Sequence, residues 1–264
     1  MPPLDKSTAS QFIKLMYIGD SGAGKTGSLV SLVEAGYRLR ILDMDNGVTV
    51  LRSYIMEQCP NRIDQVEYET CRDNIIATNM GPTIRGVAKA YVKATKLLTK
   101  WTDETTPCEW GSDTILVIDS LATLSQAAFN WQKSLNPGAV GKAQLKWVGG
   151  AQESIETILA MLTSETFECN VIVISHVEYI DDGQGNIIRG QVDAIGKKLG
   201  PRIPKYFNTM VLATMIGSGS NIKREIATVP TNLIALKNPA PFRLDNSLPL
   251  ETGLATLFEK LKEI

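Results

Sequence analysis

Residues Phe12 to Ala35 read FIKLMYIGDSGAGKTGSLVSLVEA. An apolar, strand-like run (Phe12 to Ile18) leads into Gly19-Asp20-Ser21-Gly22-Ala23-Gly24-Lys25-Thr26, and a helix-like run, Gly27 to Ala35, follows and closes on Gly36. The octapeptide is a full match to the phosphate-binding pattern G-x-x-x-x-G-K-[ST], and the strand before it and helix after it are the context that pattern requires. Gly19, Gly22 and Gly24 let backbone N–H groups wrap an anion at torsions that a Cβ obstructs. The positive end of the following helix faces the same anion. Lys25 reaches the β- and γ-phosphates, and the Thr26 hydroxyl is a ligand for Mg²⁺. Gly19 to Gly27, with Asp20, Ser21 and Ala23 inside it, is therefore the candidate nucleotide-binding stretch, with ATP and Mg²⁺ as the implied ligands.

Three further segments complete a candidate catalytic set with Lys25. Ile115-Leu-Val-Ile-Asp119-Ser120 reads as a buried strand ending in a carboxylate that holds Mg²⁺ through water, so Thr26 and Asp119 form the expected metal site. The competing reading is a helix cap for the helix starting at Leu121, a role Ser120 fills equally well. Leu42-Asp43-Met44-Asp45 ends a second strand. Residues i and i+2 share a face, so both carboxylates point toward the carboxyl end of the sheet. Asp45 lies further out, where it can orient the attacking water, although a turn role before Asn46-Gly47 competes. His176 ends the Val171 to Ser175 strand, where an imidazole can bond a γ-phosphate or the attacking water and relay nucleotide state to the next loop.

The rest of the 264 residues sets bounds. Hydrophobic residues make up 44% and charged residues 21%, a globular composition. Lys plus Arg number 27 against 28 for Asp plus Glu, which excludes a chain held to nucleic acid by bulk charge while leaving local basic patches open. The longest apolar runs are strand-length, short of the roughly 20 residues a membrane helix needs, and the N-terminus shows no secretory h-region. A cytoplasmic protein without a membrane partner is expected (host-cell cytoplasm if phage-encoded). Cys59, Cys71, Cys108 and Cys169 make no CxxC pair, and with a single His a zinc site is not expected.

Alternating strand-like and helix-like segments predict an α/β fold with a mostly parallel sheet flanked by helices. Strands are expected at 38–42, 65–70, 114–118, 170–174 and 207–216. Helices are expected at 48–56, from Pro82 to about Trp101, at 121–133 and at 151–162. A late antiparallel hairpin is expected from 222–229 and 233–236. The organisation is an N-terminal tail (1–11), a core (12–250) and a C-terminal helix (251–264).

The cradle, the acidic pair ending the next strand, and Ile-Asp-Ser-Leu-Ala-Thr-Leu at the metal-binding strand together resemble the RecA/KaiC branch of P-loop ATPases. Within it, the chain is most similar to compact phage-encoded RecA-like proteins of the Sak type, over about Phe12 to Leu236. The resemblance implies a RecA-like P-loop NTPase core, a general base at the Asp45 position (commonly glutamate, one methylene longer) and a polar sensor at the His176 position. It also implies ATP hydrolysis, single-stranded DNA binding or annealing, and self-assembly into a ring or filament, with a single-strand-binding protein as a possible further partner. ATP then lies between subunits and a neighbour's cation meets the γ-phosphate. Lys223, Arg224 and Lys237 are the candidates by position, with Arg243 another. The alternatives are a hexameric helicase or packaging-type motor, and a nucleotide-switched scaffold with negligible hydrolysis.

By the same resemblance, DNA is met after the Asp119 and His176 strands. The first segment carries Trp131, Lys133, Lys142, Lys146 and Trp147. The second carries Tyr179, Arg189, Lys197, Lys198, Arg202 and Lys205. Cations among rings suit a single strand, charge following the backbone and rings stacking on bases. A solvated loop with the tryptophans in the core is the plainer alternative. Spacing alone gives a separate pattern: Arg85, Lys89, Lys93, Lys96 and Lys100 fall within about 80° of one helix face. Such a row suits a phosphate backbone, an acidic neighbour, or water.

Overall fold

The computed structural model describes residues 12–138, 141, 145–217 and 219–263. In chain order the elements are β1 (Lys14–Gly19), α1 (Lys25–Ser28), α2 (Val30–Glu34), β2 (Arg38–Asp43), α3 (Val48–Gln58), β3 (Val66–Thr70), β4 (Ile75–Thr78), β5 (Gly81–Ile84), α4 (Ala90–Thr99), β6 (Gly111–Asp119) and α5 (Leu121–Leu135). There follow α6 (Leu145–Leu162), β7 (Cys169–Ser175), β8 (Val177–Asp181), β9 (Ile187–Val192), β10 (Thr209–Ile216), β11 (Lys223–Ala227), β12 (Ser247–Pro249) and α7 (Leu250–Lys262).

One eight-stranded sheet runs in the order β12-β11-β10-β1-β7-β6-β2-β3. From β10 to β3 every pairing is parallel, while β11 is antiparallel to both β10 and β12. Alternate residues of each central strand enter opposite cores. Met16, Ile18, Leu116, Ile118, Val171 and Val173 pack against α4, α5 and α6. Leu15, Tyr17, Ile115, Val117, Ile172 and Ile174 pack against α1, α2, α3 and α7. Both faces are covered, which is why these strands read as continuous apolar runs rather than alternating ones. This is the expected α/β core, a mostly parallel sheet flanked by helices. Leu254, Leu257 and Phe258 of α7 are fully buried in it. No helix among the described residues is long and apolar enough to cross a membrane.

Two predicted elements differ. Residues from Pro82 do not begin a helix: β5 pairs with β4 as a separate antiparallel hairpin, and α4 starts only at Ala90. The Asp73 carboxylate fixes that start by accepting from the N–H groups of Lys89 and Ala90 at 2.7 and 2.9 Å. Arg85 and Lys89 thus precede the helix, and the row of five cations is neither continuous nor uncompensated. Lys93 pairs with Glu69 at 2.6 Å and Lys100 pairs with Glu104. The second difference is the late antiparallel pair, which is β10 with β11; residues 233–236 form no strand and make a single bridge, Ile234 to Gly190, with Lys237 just beyond them bridging Met210. β11 takes the edge of β10 from Leu212 to Ile216, and Lys237 bridges the same edge only at Met210.

Candidate functional site

β1, β2, β6 and β7 end at one edge of the sheet, in register: Asp43 lies opposite Asp119, Asp119 opposite Ile174, and Ile18 opposite Ser175. Gly19, Asp43, Asp119 and His176 therefore meet at the carboxyl edge, where a parallel sheet binds its ligands. A cavity of about 660 Å³ opens there. Ser21, Gly22, Gly24, Lys25, Thr26 and Gly27 line it, with Asp45, Asp119 and His176 beyond them. Gly19, Asp20 and Ala23 are not among the lining residues: Gly19 and Ala23 are buried, and Asp20 is exposed.

Gly24 adopts φ +93°, a left-handed conformation that favours glycine, immediately before α1. The Lys25 ammonium lies inside the loop and donates to the carbonyls of Gly19 and Asp20 at 2.8 and 2.9 Å. Burial lowers its pKa, opposed by the charges of Asp119, Asp20 and Asp45. A polyphosphate would give this ammonium an anionic partner in place of two neutral carbonyls.

Thr26 Oγ1 donates to Asp119 Oδ2 at 2.6 Å. Burial pushes the Asp119 carboxyl up to about 6, further raised by Asp45 and Asp43 and opposed by the Thr26 bond and Lys25. A Cβ on Gly47 would lie 3.0 Å from Asp119 Oδ2 and 3.1 Å from Thr26 Oγ1, so the missing side chain keeps a space open beside this pair. A hydroxyl and a carboxylate are hard oxygen donors of the kind Mg²⁺ takes together with substrate phosphates and water. Among the described residues no group of three or more His, Cys, Asp or Glu side chains forms a metal cage. The residues present thus fit a magnesium ion that arrives with its nucleotide.

The two acidic residues after β2 separate. The strand ends at Asp43, so the shared face expected of i and i+2 is lost. Asp43 is buried and closes the turn, accepting from Gly47 N at 3.0 Å and Arg72 at 3.2 Å. Asp45 alone faces the cavity. Its Oδ2 accepts from Ser120 Oγ at 2.6 Å and lies 3.7 Å from His176 Nε2. Burial pushes the Asp45 carboxyl up, but His176, Ser120 and Thr123 outweigh it and hold the group below the ordinary value. Ser120 also caps α5.

Four cavity residues, Val50, Tyr54, Leu250 and Glu251, carried no local signal in the sequence. Val50 and Tyr54 of α3 form an apolar wall beside Gly27, with the Tyr54 ring 2.8 Å from where a Cβ on Gly27 would stand. Arg224, Leu250 and Glu251 form another wall, brought in by β11 and α7. Tyr179, midway along β8 and opposite Gly190, donates to Asp20 Oδ2 at 3.3 Å.

The cations expected to act on a neighbour are placed differently from one another. Lys223 pairs with Glu225. Lys237 is not on the antiparallel pair, and its amine donates to the carbonyls of Pro204 and Phe207. Arg243 donates to the Glu263 carbonyl at 2.6 Å. Arg224 faces its own chain's phosphate loop. Of the expected DNA contacts, Lys133, Lys146, Arg189, Lys197 and Lys198 are exposed, while Arg202 and Lys205 share Glu156 at 3.6 and 3.0 Å. Lys142 lies outside the described residues. Trp147 is buried edge-on against Phe129, centroids 6.2 Å apart, and is a core ring rather than a stacking platform for bases.

Residues 11–240 match the family AAA_24, described as an AAA domain. No curated protein matches the chain. Similar solved structures include the flagellar accessory protein FlaH from Methanocaldococcus jannaschii, at 10% identity over 91% of this chain and 87% of that one, with a TM-score of 0.44. Another is a KaiC-like protein from Pyrococcus horikoshii OT3, at 11% identity over 81% of this chain and 77% of that one, with a TM-score of 0.41.

Proposed function

This chain belongs to the AAA_24 family of AAA domains, and from that premise we propose that it hydrolyses MgATP and couples the reaction to single-stranded DNA, in annealing or recombination of the phage Sak type. The observation that carries the nucleotide part is the Thr26–Asp119 bond beside the space kept open by Gly47. Bound magnesium supplies charge neutralisation at the phosphate oxygens. Lys25 adds a cation fixed within the loop, and the loop N–H groups hold the phosphates without reorganisation. Asp45, ionised and pointed into the cavity, orients water for in-line attack on the γ-phosphate, and His176 sits where it can bond the same water or the phosphate.

The exposed Lys133, Lys146, Arg189, Lys197 and Lys198 support the DNA part, since exposed cations suit a backbone of phosphates. Assembly into a ring or filament belongs to the same reading. One observation favours a second reading, the nucleotide-switched scaffold: Asp45 Oδ2 is already engaged by Ser120 and His176, and the low basicity of Asp45 suits slow turnover.

ATP turnover with no nucleic acid, single-stranded DNA, duplex DNA and RNA, beside Lys25→Ala, separates the readings. Stimulation by single strands above the rest is the expected result. Equal, slow turnover in all four supports the scaffold, and duplex stimulation with strand separation supports a motor.

A further inference from the structure

Arg224 is the one cation lining the nucleotide cavity besides Lys25, among the described residues and leaving aside His176. Its place is fixed by the sheet. β11 runs antiparallel to β10, so its first residues lie at the carboxyl edge, with Ile226 opposite Ala213 and Arg224 opposite Met215. Ala213 in turn lies opposite Gly19, the first residue of the phosphate loop. Arg224 therefore stands two residues beyond the level at which that loop begins.

Strand alternation sets its direction. Arg224 shares a face with Ile226, which is fully buried against α7 at Gly253. Following that face outward leads over the first residues of α7, and Leu250 and Glu251 line the cavity beside Arg224. A Cβ on Gly24 would lie 3.4 Å from Arg224 Cδ and 2.5 Å from Leu250 Cδ2, so the arginine stem and Leu250 pack onto the phosphate loop of the same chain.

Charge points the same way. On the opposite face of β11, Lys223 and Glu225 neutralise each other. Arg224 makes no ion pair among the described residues. A guanidinium without an acidic partner, beside the loop built for phosphates, is matched by a polyanion and presents a planar fork for its oxygens.

We infer that Arg224 acts in cis, as a second positioning cation for the polyphosphate held by its own chain's loop, rather than as a residue delivered to a neighbouring subunit. This rests on the nucleotide reading above. The arginine extends the cradle that Lys25 begins, from the side of Gly24. Its charge acts on the phosphates, so its contribution scales with their number.

Equilibrium binding of ATP, ADP and AMP by wild type, Arg224→Ala, Arg224→Lys and Lys25→Ala over a range of protein concentrations tests this, with thermal melting as a check on folding. Arg224→Ala is expected to weaken ATP and ADP by about tenfold or more and AMP much less, equally at every protein concentration, with partial recovery in Arg224→Lys. Wild-type ATP affinity in Arg224→Ala, with Lys25→Ala defective, overturns the inference alone. A loss that appears only as concentration rises, or turnover regained on mixing Arg224→Ala with Lys25→Ala, overturns it in favour of action in trans. ATP binding untouched by Lys25→Ala removes the nucleotide reading itself.

Discussion

The Thr26 hydroxyl donates to the Asp119 carboxylate across 2.6 Å, tying the phosphate loop after β1 to the end of β6, a strand with β7 in between. The two groups are 93 residues apart in the chain. Thr26→Ala leaves Asp119 with one donor fewer and removes a magnesium ligand. Turnover in Mg²⁺ is expected to drop by about 10²-fold or more, and the gain in ATP affinity on adding Mg²⁺ is expected to vanish. Titrations of ATP with and without a chelator check this.

Gly47 offers a sharper probe of the same space. Its backbone, φ −80° and ψ −20°, suits alanine, so Gly47→Ala should melt within about 1 kcal/mol of wild type. The added methyl nevertheless meets Asp119 Oδ2 and Thr26 Oγ1 at 3.0 and 3.1 Å. A folded protein that no longer responds to Mg²⁺ is the expected outcome, and an unchanged magnesium response would show that the ion lies elsewhere.

Asp45 should separate binding from chemistry. Asp45→Asn keeps the shape and the Ser120 contact but loses the charge that orients water. ATP affinity is expected to stay near wild type while single-turnover hydrolysis slows by about 10²-fold or more. Ser120→Ala, which only frees the carboxylate, should cost less.

Lys14 gives a prediction about stability and pH. Its amine is buried at the other end of β1, donating to the carbonyls of Phe167 and Cys169 at 2.6 Å each. Burial lowers its pKa from 10.5 to about 8, with the neighbouring Cys169 opposing. Below about pH 8 the lysine is charged folded and unfolded, and its contribution is flat. Between about 8 and 10.5 the unfolded chain holds a proton that the folded one has released, so stability rises with pH. Denaturant melts across that window should show the stability of wild type rising relative to that of Lys14→Met. The difference isolates the lysine from the buried Cys71 and Cys169 thiols, which burial pushes up to about 11.

How far the fold was legible follows from where its information lies. β1, β6 and β7 are continuous apolar runs bounded by loop residues, and the phosphate loop is local in sequence, so all were readable directly. The stretch from Pro82 misled because cations recur there at helical spacing, while the real constraints are distant ones. Residues 75–78 pair with 81–84, and Asp73 caps α4 from sixteen residues before Lys89. The late strands misled in a related way: two apolar runs flank Pro230, and only the free edge of β10 decides which one joins the sheet. In the site, Asp45 was distinguishable from Asp43 by its place further out, but that the two share no face follows only from β2 ending at Asp43. The contact of Asp45 with Ser120 spans 75 residues and leaves no trace in either neighbourhood.

The central claim is that the turn between β1 and α1 grips a nucleoside triphosphate. Equilibrium binding of ATP in the presence of Mg²⁺ to wild type and Lys25→Ala, both checked for folding, tests it most directly. Retention by wild type and a loss of at least about tenfold in the variant is the predicted result. Equal retention by both, or none by either, contradicts it.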